Sequence, residues 1–110
     1  MNKKFIIKKN EEIQNIINNS SKKINKYFVV YYLKNNLNYN RFCISISKKI
    51  GKANVRNLYK RRIKDILMKN SIDNSYDYVI ILRKAILDIN YSLIKEELIN
   101  ILEDKKWKRK

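Results

Sequence analysis

The chain has 110 residues, 45% of them hydrophobic, and carries 26 Lys and Arg against 10 Asp and Glu, a formal net charge of +16 at pH 7. That length allows one domain with one core, taking roughly two thirds of the unfolded surface out of water, and the apolar share excludes a disordered chain. With no His and one Cys, it cannot form an intramolecular disulfide, an ordinary zinc site or a Ser-His or Cys-His nucleophile pair.

In chain order, the opening segment Met1–Asn10 lacks the apolar core of a signal peptide. Asn10 with Glu11 and Glu12 reads as an N-cap followed by acids in a first turn. Ile13, Ile16 and Ile17 then share one face of a short helix ending near Asn19-Ser20-Ser21. Tyr27–Leu33 (YFVVYYL) is β-branched and aromatic, a strand apolar on both faces. Its aromatics Tyr27, Phe28, Tyr31 and Tyr32 suit a core, stacking platforms, or one of each on opposite faces. After a polar turn at Asn35–Asn40, RFCISIS alternates: Phe42, Ile44 and Ile46 face one way, Arg41, Cys43, Ser45 and Ser47 the other. A third strand edge or a loop is expected next, around the only glycine, Gly51, which reads as a positive-φ position before a helix.

From about Ala53 the period changes to 3.6, gathering Val55, Tyr59, Ile63, Ile66 and Leu67 on one side and Asn57, Lys60, Arg61 and Lys64 on the other, with Arg56 at the edge. Tyr76–Arg83 is the most hydrophobic strand and belongs at the centre of a sheet. Asn90 caps a last helix with Tyr91, Ile94, Leu98, Ile101 and Leu102 aligned. The tail at about 105–110 is basic and aperiodic. The pattern is α+β, one domain over residues 1–110, with helices on a small sheet.

No apolar run approaches the roughly 18–20 residues of a membrane helix, and the lone thiol of Cys43 suits a reducing compartment. A cytoplasmic protein without a membrane partner is therefore expected. Catalytic motifs are absent or trivial. Ser92-x-x-Lys95 matches a short pattern that occurs by chance, and the acids are scattered over helix starts and loops rather than grouped for two-metal chemistry. One glycine makes no phosphate-binding P-loop.

The stretch Lys48–Lys64 (KKIGKANVRNLYKRRIK) is different: it holds eight Lys or Arg residues, no acid, and three of the six arginines of the chain. Arginine offers planar, bidentate phosphate recognition, and charge sorted to one side of a helix beside a glycine turn is a phosphate-binding arrangement. RNA or DNA is the expected partner.

These residues are similar to the bacterial ribonuclease P protein component, whose signature Lys-x-x-Gly-x-Ala-x-x-Arg-Asn, followed by Lys-Arg on the same helix, is matched by Lys48, Gly51, Ala53, Arg56, Asn57, Lys60 and Arg61, with basic Lys64. IIKKNEEIQNII, YFVVYYL and YDYVIILRK resemble the family's opening, first strand and last strand. The resemblance implies an α-β-β-β-α-β-α sandwich with a mixed sheet and a left-handed βαβ crossover, the ribosomal protein S5 domain 2-like class. It implies a ribonucleoprotein in which the RNA subunit, using Mg2+, cleaves precursor tRNA at its 5′ end. The protein would bind that RNA and the 5′ leader, with no obligate protein partner and no catalytic side chain. The RNA contacts it points to are Lys48, Lys49, Lys52, Arg56, Asn57, Lys60, Arg61, Arg62 and Lys64; the leader contacts are Tyr31, Ser45, Ser47, Lys9, Ile13 and Ile17. Asn57 is the one candidate for a metal-water or phosphate site. Where the family usually has a further Arg this chain has Leu58, and where it places aromatics on the first helix this chain has Ile13 and Ile17. A ribosomal or other structural RNA-binding protein with no part in cleavage fits the composition equally; an independent protein nuclease fits it poorly.

Overall fold

The computed structural model describes residues 1–70 and 75–103, so the basic tail and most of the turn after the basic helix lie outside the described residues. A short 3-10 turn at Lys3–Phe5 precedes α1 (Asn10–Asn19), β1 (Ser21–Ile24), β2 (Phe28–Lys34), β3 (Arg41–Ser45), α2 (Ala53–Lys69) and β4 (Tyr76–Leu82). A second 3-10 turn at Lys84–Asp88 leads into α3 (Tyr91–Glu103). The strands form one sheet in the order β1-β2-β4-β3. It is mixed: β1 and β4 run antiparallel to β2, while β3 runs parallel to β4 through the α2 crossover.

The element types match the sequence patterns, and three local expectations need correcting. Asn10 is the first residue of α1 rather than its cap; Lys9, extended at φ −73° and ψ 127°, takes the cap position without a side-chain hydrogen bond. The third strand lies before the aromatic strand, not after RFCISIS, whose pairing stops at Ser45. Its sequence, Ser-Lys-Lys-Ile, shows no apolar alternation because it is an edge strand, and an edge strand needs a paired neighbour more than a buried face. The chain returns from β1 to β2 through Asn25, whose Oδ1 accepts from the amides of Tyr27 and Phe28 at 2.8 and 2.7 Å. Finally, Gly51 does not sit at positive φ. What it provides is space: a Cβ there would lie 2.9 Å from Val55 Cγ1 and 3.0 Å from Val55 Cβ.

Side chains alternate across the strands, so the two sheet faces build separate layers. Phe28, Val30, Phe42, Tyr78, Ile80 and Leu82 meet Tyr59, Ile63, Ile66 and Leu67 of α2 and Ile94, Leu98, Ile101 and Leu102 of α3 in the main core. Phe42 and Tyr78 stack at 5.4 Å with rings 9° apart. Asn90 caps α3 as expected, its Oδ1 accepting from the Leu93 amide at 2.9 Å. On the opposite face α1 lays Ile16 over Val79, with Ile7 beside it and Ile13, Ile17, Tyr31, Leu33, Cys43 and Ile81 around them. β4 is central and buried, as its composition demands, and β2 is apolar on both faces because each face has a layer against it. No described helix is long and apolar enough to cross a membrane.

Candidate nucleic-acid interface

α2 does what its periodicity requires. Burial of Tyr59, Ile63, Ile66 and Leu67 fixes its rotation, and that rotation leaves Lys52, Asn57, Lys60 and Arg61 exposed, with Arg56, Arg62 and Lys64 partly covered. The turn before it is pinned at Ile50, which is buried at 6% exposure, and at Ser47, whose Oγ accepts from the Lys49 amide at 2.9 Å. Lys48 and Lys49 are thereby held in water beside the start of α2. Unpaired amides of a helix start and a row of cations on one side are the elements of a phosphate-binding surface.

The basic residues are not equivalent. Arg56 Nε donates to the Gly51 carbonyl at 3.1 Å, so part of its fork braces the turn. The Arg62 guanidinium lies 5.4 Å from the centre of the Tyr59 ring, a cation–π contact at the edge of the packed side, away from the Lys60–Lys64 row. Lys60 and Lys64 instead reach a pocket of about 430 Å³ shared with Ile6, Ile7, Lys8, Ile13, Phe42, Cys43 and Ile44. This pocket joins the two predicted sets, since Ile13 belongs to the leader residues and Lys60 and Lys64 to the RNA-binding ones. Lys8 and Cys43 are members that sequence reasoning missed; the shared alternation of Cys43 with Ser45 was the signal for one, and nothing local marks Lys8. Burial pushes the Cys43 thiol up from its ordinary range, with Lys60 pulling the other way.

The remaining predicted leader residues are spread over α1, β2 and the end of β3. Tyr31 packs partly into the α1 layer, yet its ring is also covered by the Lys22 ammonium at 5.8 Å. Ile17 packs in the same layer, Lys9 is exposed at the α1 cap, Ser45 is exposed at the end of β3, and Ser47 is exposed two residues beyond it. α1 is held above the sheet by Arg41, whose Nη1 donates to Glu12 Oε2 at 3.1 Å, a tie that sequence reasoning also missed because its partners are 29 residues apart. Asn57 stands on α2 among Arg56, Lys60 and Arg61, and among the described residues no three His, Cys, Asp or Glu group together. A lone amide amid cations does not fit a protein-held divalent ion.

The sequence profile of the family described as Ribonuclease P matches residues 1–106. The chain is 45% identical over 107 residues to the ribonuclease P protein component of Carboxydothermus hydrogenoformans, covering 94% of this chain and 92% of that one. It is 41% identical to the same component of Bacillus cereus, covering 99% and 97%. Among solved structures, a Staphylococcus aureus RNase P protein mutant with defective mRNA degradation activity superposes with a TM-score of 0.87 at 34% identity, covering 94% of this chain and 90% of that one. The RNase P protein from Thermotoga maritima gives 0.80 at 31% identity, covering 84% and 90%.

Proposed function

Since this chain belongs to the Ribonuclease P family as a protein component of that tRNA 5′-processing endoribonuclease, we propose that α2 is its surface for the RNA subunit and that the α1-covered sheet face receives the 5′ leader of precursor tRNA. Membership sets aside the reading as a structural RNA-binding protein outside tRNA processing. The division of surfaces rests on one observation above all: the buried side of α2 orients Lys60 and Lys64 into a pocket that Ile13 of α1 also lines. A strand lying there meets both cations and apolar surface.

Mechanistically, this chain supplies charge and position. Lys48, Lys49, Lys52, Arg56, Lys60, Arg61 and Lys64 neutralise phosphates and release counterions, each contact adding roughly 0.7–0.9 to the salt slope of log K. Tyr31 offers a ring for stacking, and Ser45 and Ser47 offer hydroxyls at the β3 end. Mg2+ belongs with the RNA subunit, which carries the bond cleavage; the protein acts in the cytoplasm and needs no protein partner.

The test is reconstitution. RNA-free protein with Mg2+ should leave precursor tRNA intact, and adding the RNA subunit should yield mature 5′ ends. Tyr31→Ala should weaken precursor tRNA binding while sparing mature tRNA, since base–aromatic stacking contributes about 1–3 kcal/mol per base. Equal losses for both tRNAs in a stably folded variant would overturn the leader assignment.

A further inference from the structure

The sheet face beneath α1 is built of cross-strand rows. Leu33, Asp77 and Arg41 form one, and Lys22, Tyr31, Val79 and Cys43 the next. The third is Ile24, Val29, Ile81 and Ser45. α1 roofs the first two rows and, of the third, reaches Ile81 alone: Ile24 and Val29 belong to neither apolar cluster, Ile24 is 55% exposed, and Ser45 is exposed. At the β1 end of this open strip the Lys22 ammonium leans over Tyr31 at 5.8 Å. Arg83, exposed, donates from Nη1 to the Asn25 carbonyl at 2.9 Å and brings a second cation to the turn that follows β1.

Lysine on an edge strand ordinarily serves to discourage strand addition. Lys22, itself exposed, also brings its ammonium to 5.8 Å from the centre of the Tyr31 ring, which ties its charge to the aromatic. An exposed isoleucine, an aromatic ring and two cations along one strip complement an extended polyanion that also has stackable faces, which is single-stranded RNA.

We propose that the leader surface continues past Tyr31 to the β1 edge, where Lys22 takes a leader phosphate and Ile24 packs against a base. This rests on the leader reading above. Strands are spaced about 4.8 Å apart, so the row from Ser45 to Ile24 spans about 14 Å, room for a short single-stranded segment. α2, the surface proposed for the RNA subunit, shares its pocket with β3, so on that reading the leader enters from the β3 side and the β1 edge receives the nucleotides farther from the cleavage site.

The experiment uses holoenzyme reconstituted with the RNA subunit and precursor tRNAs carrying leaders of increasing length. For the unaltered protein, affinity should rise with leader length until the β1 edge is reached. The pair Lys22→Gln and Ile24→Ser should remove the last increment, weakening the longest leader about 10-fold while leaving one-nucleotide leaders and mature tRNA unaffected. The salt slope for the long leader should fall by roughly 0.7. Should Ile24→Ser lower the melting temperature, Lys22→Gln alone carries the test through that slope. Unaltered affinity for every leader overturns the proposal, as does an equal loss for mature tRNA. If Tyr31→Ala is leader-specific while the β1 pair is silent, only the extension fails; if Tyr31→Ala is silent too, the leader reading fails with it.

Discussion

Arg41 and Asp77 meet side by side across the parallel β3–β4 pair: Arg41 Nε donates to Asp77 Oδ1 at 2.9 Å and Nη2 to Oδ2 at 2.7 Å. The Asp77 side chain is 8% exposed, and its Oδ1 also accepts from Asn35 at 2.8 Å. Hydrogen bonding to Asp77 holds the guanidinium above its ordinary pKa. Neutralising the carboxylate leaves the largely enclosed Arg41 guanidinium without its ion partner, which is costly. Asp77→Asn should therefore destabilise the fold by about 3 kcal/mol, the lower end for breaking a buried pair because Arg41 keeps a route to water. Glu12→Gln, on the half-exposed arm that reaches α1, should cost under about 1 kcal/mol. Urea unfolding of the two variants measures both.

Function and folding should separate along α2. Replacing Lys60, Arg61 and Lys64 with Gln keeps helix propensity and spares the core, so the melting temperature should hold or rise as self-repulsion falls. The salt slope for binding the RNA subunit should flatten by roughly 2–3. Ile63, at 0% exposure, should behave oppositely: Ile63→Ala should cost about 2–5 kcal/mol and leave the slope intact. Binding from about 50 to 200 mM salt with a parallel melt checks the pair, over a range where phosphate contacts dominate.

Gly51 should be intolerant of alanine for a reason of space. Rotating Val55 cannot relieve the contact, because its Cβ as well as its Cγ1 stands in the way. Gly51→Ala should cost about 1–3 kcal/mol through overpacking. Combined with Val55→Ala, the two costs should fall short of additivity by about 1 kcal/mol, which a double-mutant cycle by chemical denaturation reads directly.

The Cys43 thiol should alkylate slowly at pH 8. Burial raises its pKa, leaving less thiolate than a free thiol would have, and Lys60 partly offsets this. Lys60→Gln should slow iodoacetamide further at the same pH and move the pH profile upward. If shielding alone controlled the rate, removing the lysine would leave it unchanged or faster.

Local pattern carried the assignment where a segment's own residues set its energy. The aromatic and β-branched run at β2, the apolar run at β4 and the sorted wheel of α2 each bury enough surface to dictate their conformation and facing, so Tyr59, Ile63, Ile66 and Leu67 were legible as core, and Lys60, Arg61 and Lys64 as solvent-facing. The Lys-x-x-Gly-x-Ala-x-x-Arg-Asn spacing made the family legible for the same reason, being contained in one turn and one helix. Ser21–Ile24 was not legible, since nothing in Ser-Lys-Lys-Ile favours a strand until β2 lies beside it. Nor was the use of Gly51, which depends on where Val55 points rather than on a dihedral angle. Tertiary structure alone decided that Arg41 spans from Asp77 to Glu12, that Lys22 comes to rest over Tyr31, and that Lys8 and Ile13 share one pocket with Lys60 and Lys64. These pairings join residues from separate elements. Helix and strand periodicity places a side chain on a face, but which two faces meet is settled by the burial of both apolar layers at once.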